Sequence, residues 1–179
     1  MSVPKGKRKD SQFKVLTHWY EVRTMITDLL LREFSFREDK YIEKLQHKFG
    51  GSTFEDLSDE DKHRYQIEDQ RARQFHAWFI PKMKDVVFES ITNVGRHIFY
   101  ANSIYPTCKK ELQERRIHQD RAIAACFALL QELQYAMETL PVDVNKFLPV
   151  AKELNLEIEL LKGWRQSNNK FLKSIEGTG

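Results

Sequence analysis

The stretch IAACFALLQELQYAMETL, residues 123–140, decides the fold class of this chain. Its apolar residues recur in alternating steps of three and four, at Ile123, Cys126, Leu130, Leu133, Met137 and Leu140. This spacing places them on one face of an α-helix, and the neighbouring alanines would let a second helix approach closely. Prolines bracket the pattern at positions 106 and 141. We therefore predict a long helix from about Pro106 to Thr139.

The same alternation elsewhere predicts three more long helices. A seam from Val87 to Ala101 indicates a helix that ends near Ser103, and Pro81 suits its first turn. Apolar residues at helical spacing also predict a first helix at about 11–34 and a last helix at about 142–174. Four long helices, with short connections between the last three, are typical of an all-α, up-and-down four-helix bundle.

Residues 35–80 depart from this plan and predict an additional helical insertion between the first and second bundle helices. A short helix at 39–49 would stop at Gly50 and Gly51. Ser58, with Asp61 three residues on, resembles a capping box and predicts a polar helix at about 59–79. The early turns of that helix are rich in acids.

The sequence as a whole predicts one domain preceded by a basic arm. Its 179 residues are enough for a single hydrophobic core. Residues 1–10 carry four basic residues, one acid, a proline and a glycine, a composition that predicts a basic flexible arm. We predict a four-helix bundle domain at 11–175, with 35–80 as its insertion.

Cysteine usage and hydropathy indicate the cellular compartment. Cys108 and Cys126 are too few for a disulfide framework, which favours the reducing cytoplasm. No run of about 18 apolar residues is present, so no contact with a membrane is expected. The basic N-terminus lacks the apolar core of a secretory signal.

Motifs for catalysis or for metal binding are missing from the sequence. It has no glycine-rich phosphate loop, no G-x-S-x-G and no H-E-x-x-H. Glu114 and His118 are the nearest approach to a di-iron ligand pair, but they have no second copy. Cys108, beside two lysines, lacks a plausible histidine partner. We predict no catalytic residues, no cofactor and no metal.

The net charge of +3 is modest, so only the distribution of charge argues for a polyanionic partner. One basic cluster, at the start of the third bundle helix, contains Arg115, Arg116 and Arg121, but acids interleave with it. A self-paired solvated helix face is therefore an equally open interpretation.

A second run of cations lies near the C-terminal end of the sequence. The segment LLKGWRQSNNKFLKSI, residues 160–175, holds Lys162, Arg165, Lys170 and Lys173, with no acid before Glu176. Such a run repels itself in isolation and fits nucleic-acid phosphates or an acidic partner better. A helix C-terminus by itself explains one or two of these cations. Trp164 could stack on a base, although its position on the apolar stripe favours core packing.

Four short motifs resemble one family of helical proteins. They are SVPKGKR at the N-terminus, NSIYP before the third helix, RAIAACFALLQEL within it, and LLKGWRQSNNK near the end. They resemble the accessory variability determinant (Avd) proteins, small four-helix bundles encoded beside the reverse transcriptases of diversity-generating retroelements. Bundle proteins from intervening sequences of bacterial 23S ribosomal RNA genes are related to that family. The resemblance covers residues 2–34 and 81–174, and the insertion departs from it.

The resemblance implies a non-enzymatic accessory protein. Such proteins form homopentamers and bind a reverse transcriptase and its template RNA or cDNA, which supports mutagenic cDNA synthesis. The expected nucleic-acid-binding residues here are Arg115, Arg116, Arg121, Lys162, Arg165, Lys170 and Lys173. A structural or protein-interaction bundle without a nucleic-acid role is the alternative, with an acidic helix at 55–70 docking onto a basic partner. A third hypothesis is an enzyme whose site forms only between subunits.

Overall fold

The computed structural model describes residues 13–35, 37–140 and 142–176, except for the side chains of Lys173, Ser174 and Glu176. All regular structure in these ranges is helical, and they contain no strand. The predicted all-α class is thereby confirmed. The arm predicted at 1–10 lies outside the described residues.

The described residues form six α-helices: α1 (Lys14–Glu33), α2 (Glu38–Lys48), α3 (Asp59–Ser103), α4 (Lys109–Thr139), α5 (Leu148–Ser167) and α6 (Asn169–Glu176). Short 3₁₀ turns at Phe54–Asp56 and Val144–Lys146 precede α3 and α5. Helix α3 packs on α4, α4 on α5, α5 on α1, and α1 on α3. These four helices therefore enclose one common core.

The two ends of the loop between α2 and α3 follow from local sequence. Gly50 and Gly51 have φ angles of 74° and 80°, a left-handed conformation that glycine adopts without steric cost after a helix. The Ser58 hydroxyl accepts a hydrogen bond from the backbone N–H of Asp61 at 3.2 Å and caps α3. Both predictions, the glycine stop and the serine cap, are confirmed.

Helix α3 runs without interruption through Pro81 for 45 residues, so the predicted helix start at Pro81 is wrong. Proline removes one helical hydrogen bond, but its fixed φ is compatible with a helix. Buried side chains on both sides, Phe79, Ile80 and Met83, anchor this stretch in the core. Their burial outweighs the local cost. As a result, the insertion and the second bundle helix share one continuous helix.

The last helix also differs from the prediction of a single helix at 142–174. Helix α5 begins at Leu148 and ends at Ser167, and the chain restarts as α6 after Asn168. The Asn168 side chain is buried and bonded to α4, which holds this break in place. Helix α4 likewise begins three residues later than expected, at Lys109.

The core is a continuous apolar cluster contributed by α1, α3, α4 and α5. On α4 the buried seam is rotated from the predicted one, because Ile123, Leu130 and Met137 are only partly buried. The buried residues of α4 include Leu112, Arg115, Gln119, Ala122, Cys126, Leu129 and Leu133. Two polar residues, Arg115 and Gln119, are therefore buried in the first half of α4.

Within the described ranges, no helix combines the length with the apolar character that crossing a bilayer requires.

Candidate nucleic-acid interface

Several chain segments meet at one end of the molecule. The Phe13 ring, before α1, lies 4.7 Å from the Trp164 ring near the end of α5. Arg115, near the start of α4, donates a hydrogen bond at 2.7 Å to the carbonyl of Ile104 in the α3–α4 loop. We call the surface formed by residues 104–116 and 164–171 the basic end.

Arg115 is the buried centre of the basic end. Its side chain is only 8% exposed, and its guanidinium carbon lies 5.1 Å from the Trp164 ring and 5.5 Å from the Phe171 ring. Its Nε has no hydrogen-bond partner, and no described carboxylate pairs with it. Burial lowers the pKa of this guanidinium, which still remains charged near neutral pH. Arg115 was expected to bind nucleic acid, but its burial leaves little of the side chain available for direct contact.

A buried amide pair holds α6 against α4. Gln119 and Asn168 are both fully buried, and Asn168 Nδ2 donates a hydrogen bond to Gln119 Oε1 at 2.5 Å. The remaining amide atoms, Gln119 Nε2 and Asn168 Oδ1, have no partner among the described residues. The one hydrogen bond ties Asn168, at the α5–α6 break, to α4, whereas the two unpaired atoms each carry a desolvation cost.

Besides the exposed Lys109 and Lys110, Arg116 and Lys170 are cations of the basic end that keep contact with solvent. Arg116 is half-buried and donates a hydrogen bond at 2.7 Å to Asn169 Oδ1. Lys170 is exposed. Neither forms an ion pair with a described acidic side chain. Lys173 belongs to α6, and its side chain is outside the described residues.

Two predicted cations are partly neutralised by acids from outside their sequence run. Arg165 Nη2 lies 3.0 Å from Asp120 Oδ2 on α4, and Lys162 Nζ lies 2.7 Å from Glu159 Oε1 one turn earlier. Such exposed pairs add little stability, but they reduce the local positive charge. Lys162 and Arg165 are therefore weaker candidates for phosphate contact than Arg116 and Lys170.

Arg121 lies on a different side of α4, close to a histidine pair. His97 Nδ1 and His118 Nδ1 are 3.1 Å apart, and the His118 ring lies 5.3 Å from that of Tyr100. Burial lowers the pKa of His97, and the positive charges of His118, Arg121 and Arg96 lower it further. Of the predicted residues, Arg115, Arg116, Arg165 and Lys170 thus lie in the basic end, Arg121 lies in this second cationic group, and Lys162 lies in neither.

Sequence reasoning missed the burial of Gln119 and Asn168. Continuing the three- and four-residue steps of α4 toward its N-terminus from Cys126 leads to Ala122, Gln119 and Arg115. This spacing predicts that Gln119 and Arg115 are buried, but it does not extend to Asn168, which follows α5. Trp164 packs against the core cluster, beside Phe13 and Arg115. This packing favours a structural role over base stacking for Trp164.

A second buried polar cluster, also missed, lies between α1 and α5. His18 Nδ1 is 2.6 Å from Glu157 Oε2, and His18 Nε2 is 3.1 Å from Glu153 Oε2. Burial raises the pKa of Glu157 to about 7, although His18 acts to lower it. Burial alone would lower the pKa of His18, but the two carboxylates outweigh burial and raise it. Both nitrogens of this imidazole are occupied, so it is not a free acid or base.

Within the described residues, no three His, Cys, Asp or Glu side chains are placed to share a metal ion. Cys108 is exposed and Cys126 is buried. Burial, followed by the charge of Glu157, raises the pKa of the Cys126 thiol far above its usual range. Cys126 is thus a small core residue, as its position on the apolar seam indicates.

Comparison of the chain with protein-family models, with curated proteins and with solved structures gives no match.

Proposed function

We propose that this protein is a non-enzymatic accessory that binds RNA, and the cDNA copied from it, through the basic end. The observation that carries the proposal is a pair of solvent-contacting cations without acidic partners among the described residues, Arg116 and Lys170, above the buried Arg115, which also pairs with no described carboxylate. Nucleic-acid phosphates would supply the missing negative charge and release counterions on binding.

We further propose that the partner enzyme is a reverse transcriptase and that the pair supports mutagenic cDNA synthesis in a diversity-generating retroelement. This part rests on the resemblance of the sequence motifs to the Avd family. Two of those motifs, NSIYP and LLKGWRQSNNK, supply Ile104, Trp164 and Asn169, the contacts of Arg115 and Arg116. Two of the four segments that carry the resemblance therefore reach into the basic end.

The finer architecture belongs to the same proposal. We propose an up-and-down four-helix bundle of α1, α3, α4 and α5, because the start of α1 lies beside the end of α5 at the Phe13–Trp164 contact. We also propose a cytoplasmic homopentamer, in keeping with the resemblance. Exposed rings on α3, such as Phe88 and Phe99, offer apolar surface for contacts between subunits.

Binding of the purified protein to a structured RNA across a salt series tests the proposal. The logarithm of the association constant should fall linearly with the logarithm of salt concentration. The double variant Arg116→Glu, Lys170→Glu should bind more weakly and with a shallower slope. Lys40→Glu, Lys44→Glu is the matched control, because it makes the same charge change on exposed α2 lysines. Equal affinities for the two variants would contradict the proposed surface.

The protein-interaction alternative is favoured by one feature of the insertion. The first turn of α3 contains Asp59, Glu60 and Asp61, and Trp78 further along that helix is 65% exposed. A basic partner protein would fit such a helix. Under this alternative, wild-type protein fails to bind RNA at low salt, and reversal of the three acidic charges releases the partner in a pull-down assay.

A further inference from the structure

We propose that the basic end selects unpaired nucleotides, with the ring of Tyr105 stacking on a base. This inference rests on the proposed function and names the kind of nucleic acid that the basic end takes. Tyr105 lies in the loop before α4 and is 75% exposed. Single exposed aromatic side chains are common on protein surfaces, and what distinguishes Tyr105 is that it belongs to the same surface as the unpaired cations Arg116 and Lys170.

A series of contacts between aromatic rings and the Arg115 guanidinium connects Tyr105 to the core. Its ring meets Phe171 edge-on, with centroids 5.6 Å apart and an interplanar angle of 83°. Phe171 lies against the Arg115 guanidinium, which in turn lies against Trp164. These contacts thus lead from Trp164, which packs against the core, to the exposed ring of Tyr105. The contact with Phe171 restricts the Tyr105 side chain before binding, so stacking would cost less side-chain entropy than for a ring without contacts.

With 75% of its surface exposed, the Tyr105 ring keeps a face open to solvent on the surface that carries Arg116 and Lys170. Lys170 precedes Phe171 in the chain, and Arg116 is bonded to the neighbouring Asn169. Aromatic rings that stack on bases next to cations that follow the backbone are typical of single-strand binding sites. Bases within a duplex already stack on one another and expose only their edges, so a duplex would gain the phosphate contacts alone.

The roles of Arg115 and Tyr105 fit together in this arrangement. Arg115 is too buried to reach a phosphate directly, but it links the two aromatic rings that support Tyr105. Its positive charge also strengthens the local field that a phosphate would meet. Arg115 is therefore a positioning residue, and Tyr105 is the residue that touches the base.

The test compares a 15-nucleotide single-stranded RNA with a blunt RNA duplex of the same length. Tyr105→Ala should weaken single-strand binding about tenfold, in line with the loss of one stacked base, and leave duplex binding within about twofold. Tyr105→Phe should bind like wild type, since it keeps the ring. Tyr135→Ala is the matched control, because Tyr135 is also exposed but lies 20 positions along α4 from Arg115.

The outcomes separate this inference from the proposed function. Equal losses for single strand and duplex, or no loss for either, would overturn base stacking by Tyr105. The Arg116→Glu, Lys170→Glu variant would still lose affinity for both RNAs in that case, and the proposed function would stand. If wild-type protein binds neither RNA at low salt, both the stacking inference and the proposed function fail.

Discussion

Glu157 is an acidic residue at a buried position of α5, where packing alone would favour an apolar one. It is fully buried, and its Oε1 has no hydrogen-bond partner among the described residues. Its pKa, raised from 4.5 to about 7, means that the folded protein holds a proton which the unfolded chain releases at lower pH. The folded state is therefore more stable at a pH low enough for Glu157 and His18 to keep their protons.

The free energy of unfolding should fall as the pH rises from 6.5 to 8.5, by an amount on the order of 1 kcal/mol. Glu157 loses its proton as the pH rises through about 7, and the raised pKa of His18 acts in the same direction. The lowered pKa values of His76 and His97 act in the opposite direction, and most of their effect lies below pH 7, since the unfolded histidines have lost their protons above it. Urea unfolding at several pH values measures this dependence.

The control for this pH dependence is a substitution at the neighbouring acid. Glu157→Gln should flatten the dependence between pH 6.5 and 8.5, because the buried titrating group is removed. Glu153→Gln should change it less, since Glu153 remains partly exposed. A wild-type stability that rises over this range would show that Glu157 is already ionised in the fold.

Gly95 marks the close approach of α1 to α3. A Cβ atom added at this position would lie 2.8 Å from Nε1 of Trp19, and Trp19 is buried in the core. Gly95→Ala should therefore destabilise the protein by about 1–3 kcal/mol, as overpacking does. The measurement is the free energy of unfolding in urea.

Gly163 offers the matched substitution for Gly95. It lies within α5, and a Cβ atom added there would have no neighbour within 4 Å. Gly163→Ala should stabilise the protein by up to about 1 kcal/mol, because alanine is the better helix former. Similar effects of the two substitutions would mean that Trp19 moves aside at little cost.

At the scale of the element, the most informative feature is the passage of α3 through Pro81. The helix loses one backbone hydrogen bond there, and buried residues on both sides hold it together. Pro81→Ala should stabilise the protein by about 1 kcal/mol, because the regained hydrogen bond and the better helix propensity exceed the added freedom of the unfolded chain. The helix content seen by circular dichroism should stay unchanged.

A contrary result for Pro81 has a clear meaning. If alanine destabilises the protein, the proline bends α3 in a way that its packing on α4 requires.

The sequence did predict the end of α2, at Gly50, and the start of α3, at Ser58, because local hydrogen bonds and φ preferences decide those positions. It failed at Pro81 because long-range burial decided the outcome there.

At the scale of the whole molecule, the insertion has its own small set of buried residues. Tyr41 and Leu45 on α2 are buried, but they lie outside the main core cluster. The buried residues of α3 begin only at Phe79. Replacing residues 38–75 by a short glycine-serine linker should therefore leave the four core helices folded, with a cooperative unfolding transition.

The same deletion also separates the two functional hypotheses. RNA binding should persist at the wild-type salt dependence, because the basic end includes no residue of the insertion. Retained helicity with lost RNA binding would instead place part of the nucleic-acid surface on the insertion. Loss of cooperative unfolding would show that α2 and the first half of α3 are needed for the core.

The sequence by itself determined the helical class, the ends of several helices and the two regions that carry basic charge. Periodicity and capping are local properties, so one chain is enough to read them. Only the tertiary structure decided which cations keep their charge unpaired. Asp120 reaches Arg165 from another helix, and burial removes Arg115 from the surface. Both effects depend on residues far apart in the chain, where spacing along the sequence carries no information.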